Sequence, residues 1–214
     1  MKIYLISGLA ADARIFKNLI FPSGIDPVYL DWISPEKNET LKDYAIRLAE
    51  KIDTSEKFAL MGLSMGGMIA VEIAKKFPPE KLILISSIPI HSHLPFYFIW
   101  AKKIGLQKII PISVLRYGSI LKRIFTAESA EDKEMLKMII RESDPKFVHW
   151  AMHAILHWDN KDFPDQYFHI HGSSDEMLPM RFTRPTHIVK KAGHLMVLNR
   201  ASEINQLLAS IFKI

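Results

Sequence analysis

Short, unbroken apolar runs recur along this chain, and segments whose apolar residues return every three or four positions lie between them. The runs are Lys2–Ser7, Val28–Trp32, Phe58–Leu63, Lys81–Ser86, Tyr167–His171 and Thr186–Lys190. A strand with one wet face alternates apolar and polar residues; a strand covered on both faces does not. These runs are continuous, so they predict strands of a parallel sheet sandwiched between helices, an α/β fold. The helical segments carry their own signals. Thr40 and Asp43 form a capping pair before Leu41, Ala45, Leu48 and Ile52. Met65 to Phe77 is apolar and helix-compatible until Pro78-Pro79 stops it, and Ile204, Leu207, Leu208 and Ile211 make one stripe near the C-terminus. A chain of 214 residues suits one such domain and buries a sizeable core without metals or disulfides.

One stretch breaks the rhythm. Between Pro89 and Lys161 no strand is legible, and helical patterns take over at Phe96–Lys103, Ser113–Phe125, Ala130–Glu142 and Pro145–His157. The economical reading is a helical cap, 89–161, inserted into a core made of 1–88 and 162–214. It leaves the sheet after Lys81–Ser86, at the carboxyl ends of the strands, where ligands bind in open parallel sheets.

Composition narrows the function classes. The chain has no cysteine, which excludes disulfides and thiolate metal sites and fits a cytoplasmic setting. The formal charge is +5, but the cations are dispersed, with no basic run and no aromatic-interleaved basic stripe. A solvated surface accounts for them, and no nucleic-acid partner is expected. Leu82 to Ala101 lacks Lys, Arg, Asp and Glu, yet Pro89, Pro95, His91 and His93 make it a poor spanning helix, so no stable membrane insertion is expected. The first ten residues loosely imitate a secretion signal. Read as a core strand, they are not expected to be one. Oligomeric state leaves no mark in the sequence.

Chemistry concentrates in Gly62-Leu63-Ser64-Met65-Gly66, set between an apolar strand and an apolar helix. A serine on a tight strand-to-helix turn is lifted above the sheet in a strained backbone, and glycines are needed two residues to either side. The helix that follows aims its free N–H groups at whatever the serine attacks. Serine is a poor nucleophile at neutral pH without an adjacent base. His194 lies in the loop before the last helix, and Asp175 follows the strand that ends at His171. Ser64, Asp175 and His194 stand in the chain order of a strand-elbow hydrolase. His171 precedes every nearby acid and reads as a packed or loop-bracing residue, while Glu176 rivals Asp175.

With Gly62-Leu63-Ser64-Met65-Gly66-Gly67, His171-Gly172-Ser173-Ser174-Asp175-Glu176-Met177-Leu178-Pro179 and Ala192-Gly193-His194, the chain resembles the α/β-hydrolases over nearly all of its length outside the cap. The resemblance implies a six-stranded parallel sheet lacking the two usual leading strands, in the order 2-1-3-4-5-6, with helices on both faces. It implies Ser64 as nucleophile, His194 as base and Asp175 as orienting acid. It implies an oxyanion hole from the backbone N–H groups of Leu9, in the loop after the first strand, and Met65. Relatives often carry histidine–glycine where this chain has Ser7-Gly8. The expected activity is acyl-enzyme cleavage of a small ester, with no cofactor and with a pocket formed in part by Phe98 and Trp100 of the cap. A thioesterase, lactonase or carbon–carbon hydrolase with the same residues is the alternative, because fold does not choose between them. A non-catalytic binding protein of the same fold is a further alternative, and such a protein is expected to lack a triad member.

Other candidates are weaker. His149, His153 and His157 recur every four residues, a spacing that would suit a metal, but no cysteine completes the set and only Asp159 is a nearby acid. A polar helix face explains them. Arg181 and Arg184 follow the acid loop and read as solvated surface. No phosphate-binding glycine loop occurs.

Overall fold

The computed structural model describes residues 1–103 and 130–213. Thirteen elements carry the argument. They are β1 (Lys2–Ile6), β2 (Asp26–Tyr29), α1 (Leu41–Leu48), β3 (Phe58–Leu63), α2 (Met65–Lys76), β4 (Lys81–Ile85), α3 (Phe96–Lys103), α4 (Ala130–Glu142), α5 (Pro145–His157), β5 (Phe168–Gly172), β6 (His187–Val189), α6 (Met196–Asn199) and α7 (Ala201–Ile211). The six strands form one parallel sheet in the order β2-β1-β3-β4-β5-β6. Fold class and strand order are those expected.

The continuous apolar runs are explained by what covers each face. Successive side chains of a strand point to opposite sides of a sheet. Tyr4, Ile6, Leu60, Leu82 and Leu84 enter one buried cluster with residues of α1, α2 and α5. Ile3, Leu5, Ala59, Met61, Ile83 and Ile85 enter a second cluster with Ile15, Phe16 and residues of α6 and α7. All six residues of β3 are buried, so this strand is the spine of the molecule. Each fully buried Leu or Ile contributes about 1.5–3 kcal/mol of hydrophobic stabilisation.

Local signals act as their chemistry predicts. The Thr40 hydroxyl accepts from the Asp43 N–H at 3.1 Å and donates to the Asp43 carboxylate at 2.7 Å. The second strand differs from expectation: it runs Asp26–Tyr29, not Val28–Trp32. It lies at the sheet edge, where Pro27 is tolerated because one side of the strand needs no N–H. Its residues are mostly exposed, so no buried run marks it.

Between β4 and β5 the described residues hold helices α3, α4 and α5 and no strand. The predicted helix Ser113–Phe125 lies outside the described residues. The flanking helices join the cores of the sheet. Phe147 and Trp150 of α5 pack on Tyr44 of α1, with ring centroids 6.1 and 4.3 Å from it. The Trp150 indole N–H donates to the Glu39 carbonyl at 2.9 Å. Just past α5, the Trp158 indole N–H donates to the buried Glu72 carboxylate of α2 at 2.7 Å, and Lys75 pairs with the same group at 2.9 Å. Leu136 of α4 enters the second cluster. Among the described residues no helix is long and apolar enough to cross a membrane.

Candidate active site

The carboxyl ends of β3, β5 and β6 meet around Ser64. Gly62 and Gly66 show why the turn there needs glycine. A Cβ on Gly62 would stand 2.2 Å from the Gly66 carbonyl oxygen, and one on Gly66 would stand 2.2 and 2.3 Å from the carbonyl oxygens of Ile6 and Ser7. The turn therefore closes on itself and against the end of β1. Ser64 pays in backbone strain: φ is 53° and ψ −119°, a left-handed conformation that L side chains avoid at about 1–3 kcal/mol. Two bonds hold it there. Its N–H donates to the Ile85 carbonyl at 2.9 Å, and the Ser87 hydroxyl donates to its carbonyl at 2.6 Å. Neither contact is legible in the sequence.

A hydrogen-bonded row runs from the strained serine. Ser64 Oγ lies 3.0 Å from His194 Nε2, and His194 Nδ1 lies 2.8 Å from Asp175 Oδ2. Proton positions are assigned from partners. The carboxylate only accepts, so Nδ1 carries the proton and Nε2 presents its lone pair to the serine hydroxyl. Asp175 and His194 are buried. Asp175 Oδ1 accepts the N–H groups of Met177 and Leu178, each at 2.9 Å. Burial alone would raise the Asp175 pKa. The pull of His194 and His171 and the Leu178 N–H outweigh it and hold the carboxyl below its ordinary range. Glu176, the rival acid, is exposed.

The loop after β1 lies beside the elbow: a Cβ on Gly8 would sit 3.4 Å from that of Ser64. Its shape is fixed by the Ser7 hydroxyl and the Trp32 indole N–H, which donate to the Ala11 carbonyl at 2.9 and 2.8 Å, and by the left-handed Ala10, φ 54°. Ser7, standing where relatives often have histidine, thus braces the loop. Met65 follows the serine at the start of α2, and Leu9 follows Gly8 in the neighbouring loop. A cavity of about 290 Å³ opens along Ala10 and Ala11 and reaches Trp32, Ile139 and Phe147.

The remaining candidates fall elsewhere. Phe98 is half-buried and packs against the first core cluster. Trp100 is 62% exposed, with the Lys103 ammonium 5.6 Å from its ring centroid. Their helix reaches the acid loop through Tyr97, whose hydroxyl donates to the Met177 carbonyl at 2.6 Å. His153 and His157 stack ring on ring at 3.9 Å, and His157 Nδ1 donates to the His153 carbonyl. No group of three His, Asp or Glu side chains placed to hold a metal occurs among the described residues. Arg181 lies over the Phe182 ring at 4.9 Å. His171 is fully buried and braces the acid loop, its Nε2–H donating to the Leu178 carbonyl at 2.7 Å.

No protein-family model matches the sequence, and no curated protein matches it either. Solved structures do match. MenH from S. aureus superposes with a TM-score of 0.75 at 15% identity, over 98% of this chain and 92% of its own. A hydrolase from Pseudomonas aeruginosa PA01 gives 0.78 at 14%, over 100% and 90%. An esterase from Exiguobacterium antarcticum gives 0.71 at 16%, over 99% and 91%. With its parallel sheet, its strand order and a strained serine at the turn from β3 into α2, the chain has the α/β-hydrolase fold.

Proposed function

We propose that this protein is a serine hydrolase that cleaves a small carboxylic ester through an acyl-enzyme. The observation that carries the reading is the row Ser64–His194–Asp175, with contacts of 3.0 and 2.8 Å, ending on a serine held at φ 53°. The similar structures described as a hydrolase and an esterase support the class.

His194 Nε2 takes the Ser64 proton as Oγ attacks the substrate carbonyl carbon. The carbonyl oxygen becomes an oxyanion facing the Leu9 and Met65 N–H groups, at the positive end of α2. Asp175 keeps the imidazole in the tautomer with Nδ1–H and stabilises the imidazolium that forms. The imidazolium returns its proton to the departing alkoxide oxygen, the C–O bond breaks, and the acyl group stays on Ser64. Water then attacks the acyl carbon, giving its proton to His194. Collapse of the second intermediate frees the carboxylic acid and restores the Ser64 hydroxyl. The chain's own groups supply every proton transfer. Esters are favoured because an alkoxide leaves more readily than an amine.

In this reading 89–161 acts as a cap over the site, and Phe98 and Trp100 help to select the acyl or alcohol group. A fluorophosphonate probe tests the class: it should label wild-type protein at Ser64, located by peptide mass spectrometry, and leave Ser64→Ala unlabelled. Ser64→Ala should also abolish p-nitrophenyl acetate hydrolysis while keeping the native circular dichroism. Wild-type turnover in that variant would refute the assignment. A panel of esters, thioesters and lactones of graded length then identifies the bond cleaved.

A further inference from the structure

Behind the acid lies a second pair of histidines that the row does not use. His169 and His171 stand two apart on β5, which puts their side chains on one face of the strand. Both are fully buried. The Leu178 carbonyl can only accept, so His171 Nε2 carries a proton and His171 Nδ1 presents a lone pair. His169 Nε2 lies 3.1 Å from that lone pair and donates to it. His171 Nε2 also lies 3.4 Å from Asp175 Oδ2, the oxygen that His194 uses. Leu178 is thus anchored twice, its N–H on Asp175 Oδ1 and its carbonyl on His171.

We propose that His171 is a positioning residue for Asp175, with its tautomer set by His169. The proposal rests on the reading of Ser64, His194 and Asp175 as the catalytic row. His171 clamps the Leu178 peptide that holds one carboxylate oxygen and places an N–H edge beside the other. Were the imidazole in the opposite tautomer, its Nε2 lone pair would face both the Leu178 carbonyl and the carboxylate, and both contacts would turn repulsive. The His169 N–H removes that choice by occupying Nδ1. The groups facing the pair are Asp175, His194 and the Leu178 backbone around His171, and His93 and the Ser87 backbone toward His169. Burial keeps both imidazoles neutral, pushing His169 down to about 3 and His171 in the same direction. A carboxylate held on every side keeps His194 aimed at the serine. The arrangement acts on the chemical step rather than on substrate binding.

The experiment compares His171→Gln with His171→Asn. A glutamine amide nitrogen reaches the place of Nε2 and can still donate to the Leu178 carbonyl; the shorter asparagine cannot. On p-nitrophenyl acetate, His171→Gln should keep kcat within about threefold of wild type. His171→Asn should lose at least about tenfold in kcat with KM within about twofold, and its rate of fluorophosphonate labelling should fall in step. Equal activity in both variants, or a loss that falls on KM, overturns the proposal. So does failure of both to fold, which would make the pair an element of the fold alone. Wild-type labelling at Ser64 reports separately on the hydrolase reading. If wild type is not labelled, that reading fails and the positioning role falls with it.

Discussion

At the scale of single residues, burial and hydrogen bonding make definite demands. In the proposed mechanism Asp175 fixes the tautomer of His194, so Asp175→Asn should lower kcat by about 10⁴-fold, the scale known for serine-protease triads, and Glu176→Gln should not. Steady-state kinetics on both variants checks this, and the reverse ranking would move the acid to Glu176. His169 carries a second demand. Its folded pKa of about 3 lies well below the ordinary value near 6.5. Between those values the unfolded chain binds a proton that the native state refuses, so stability rises with pH across the window. Acidification below about pH 6.5 should therefore erode stability by up to about 1.4 kcal/mol per pH unit from this group alone. The lowered His171 acts with the same sign. The depressed Asp175 adds a loss at lower pH, as its carboxylate is forced to protonate. Urea midpoints from pH 6.5 to 4.5 should fall steadily for wild type and less steeply for His169→Gln. Parallel slopes would show that another group is responsible. The sequence exposed Ser64, Asp175 and His194 because glycines, strand ends and chain order bracket them. It exposed His171 only as a bracing residue, because contact between β5 and the Asp175–Leu178 turn depends on how the loop folds back.

At the scale of elements, the strands and helices were legible where one physical cause dominates. A run buried on both faces has one reading, so β1, β3, β4 and β5 lie within a residue or two of their expected places; the edge strand β6 does too, although its Ile188 is exposed. Strand β2 is exposed and short, and its position is set by pairing with Lys2–Leu5 rather than by its own side chains. In the sequence, the close approach of the elbow to β1 shows only as a need for glycine. Its target, the carbonyl oxygens of Ile6 and Ser7, is a tertiary fact. Gly66→Ala should accordingly cost about 3 kcal/mol or more, because the obstacle is backbone and cannot swing aside. Chemical denaturation measures it, and a cost under about 1 kcal/mol would mean that the elbow has slack. Helix α3 sits differently: Phe98 packs inward and Trp100 points largely to solvent. If the helix shapes the pocket, Phe98→Ala and Trp100→Ala should shift the preferred chain length of p-nitrophenyl esters while acetate turnover changes little. Unchanged chain-length profiles in both variants would leave these rings as packing residues.

At the scale of the whole molecule, the helices between β4 and β5 are fastened to the sheet's own layers. The buried Glu72 carboxylate depends on Trp158, so Trp158→Phe should remove a donor and cost about 1–3 kcal/mol, lowering Tm by several degrees. Calorimetry would show it, and an unchanged Tm would mean that Lys75 alone satisfies the carboxylate. The sheet itself carries a consequence in time. Ile85 of β4 pairs with Ile170 of β5, so the two strands meet only after the whole intervening chain has closed into a loop, an entropic cost that grows with the logarithm of loop length. Ser64 is set on the early side of that closure, while Asp175 and His194 lie on the late side. In a growing chain the turn that carries Ser64 is therefore made before Asp175 and His194. On the proposed mechanism, Ser64 becomes reactive only once the β4–β5 pairing has brought Asp175 and His194 to it.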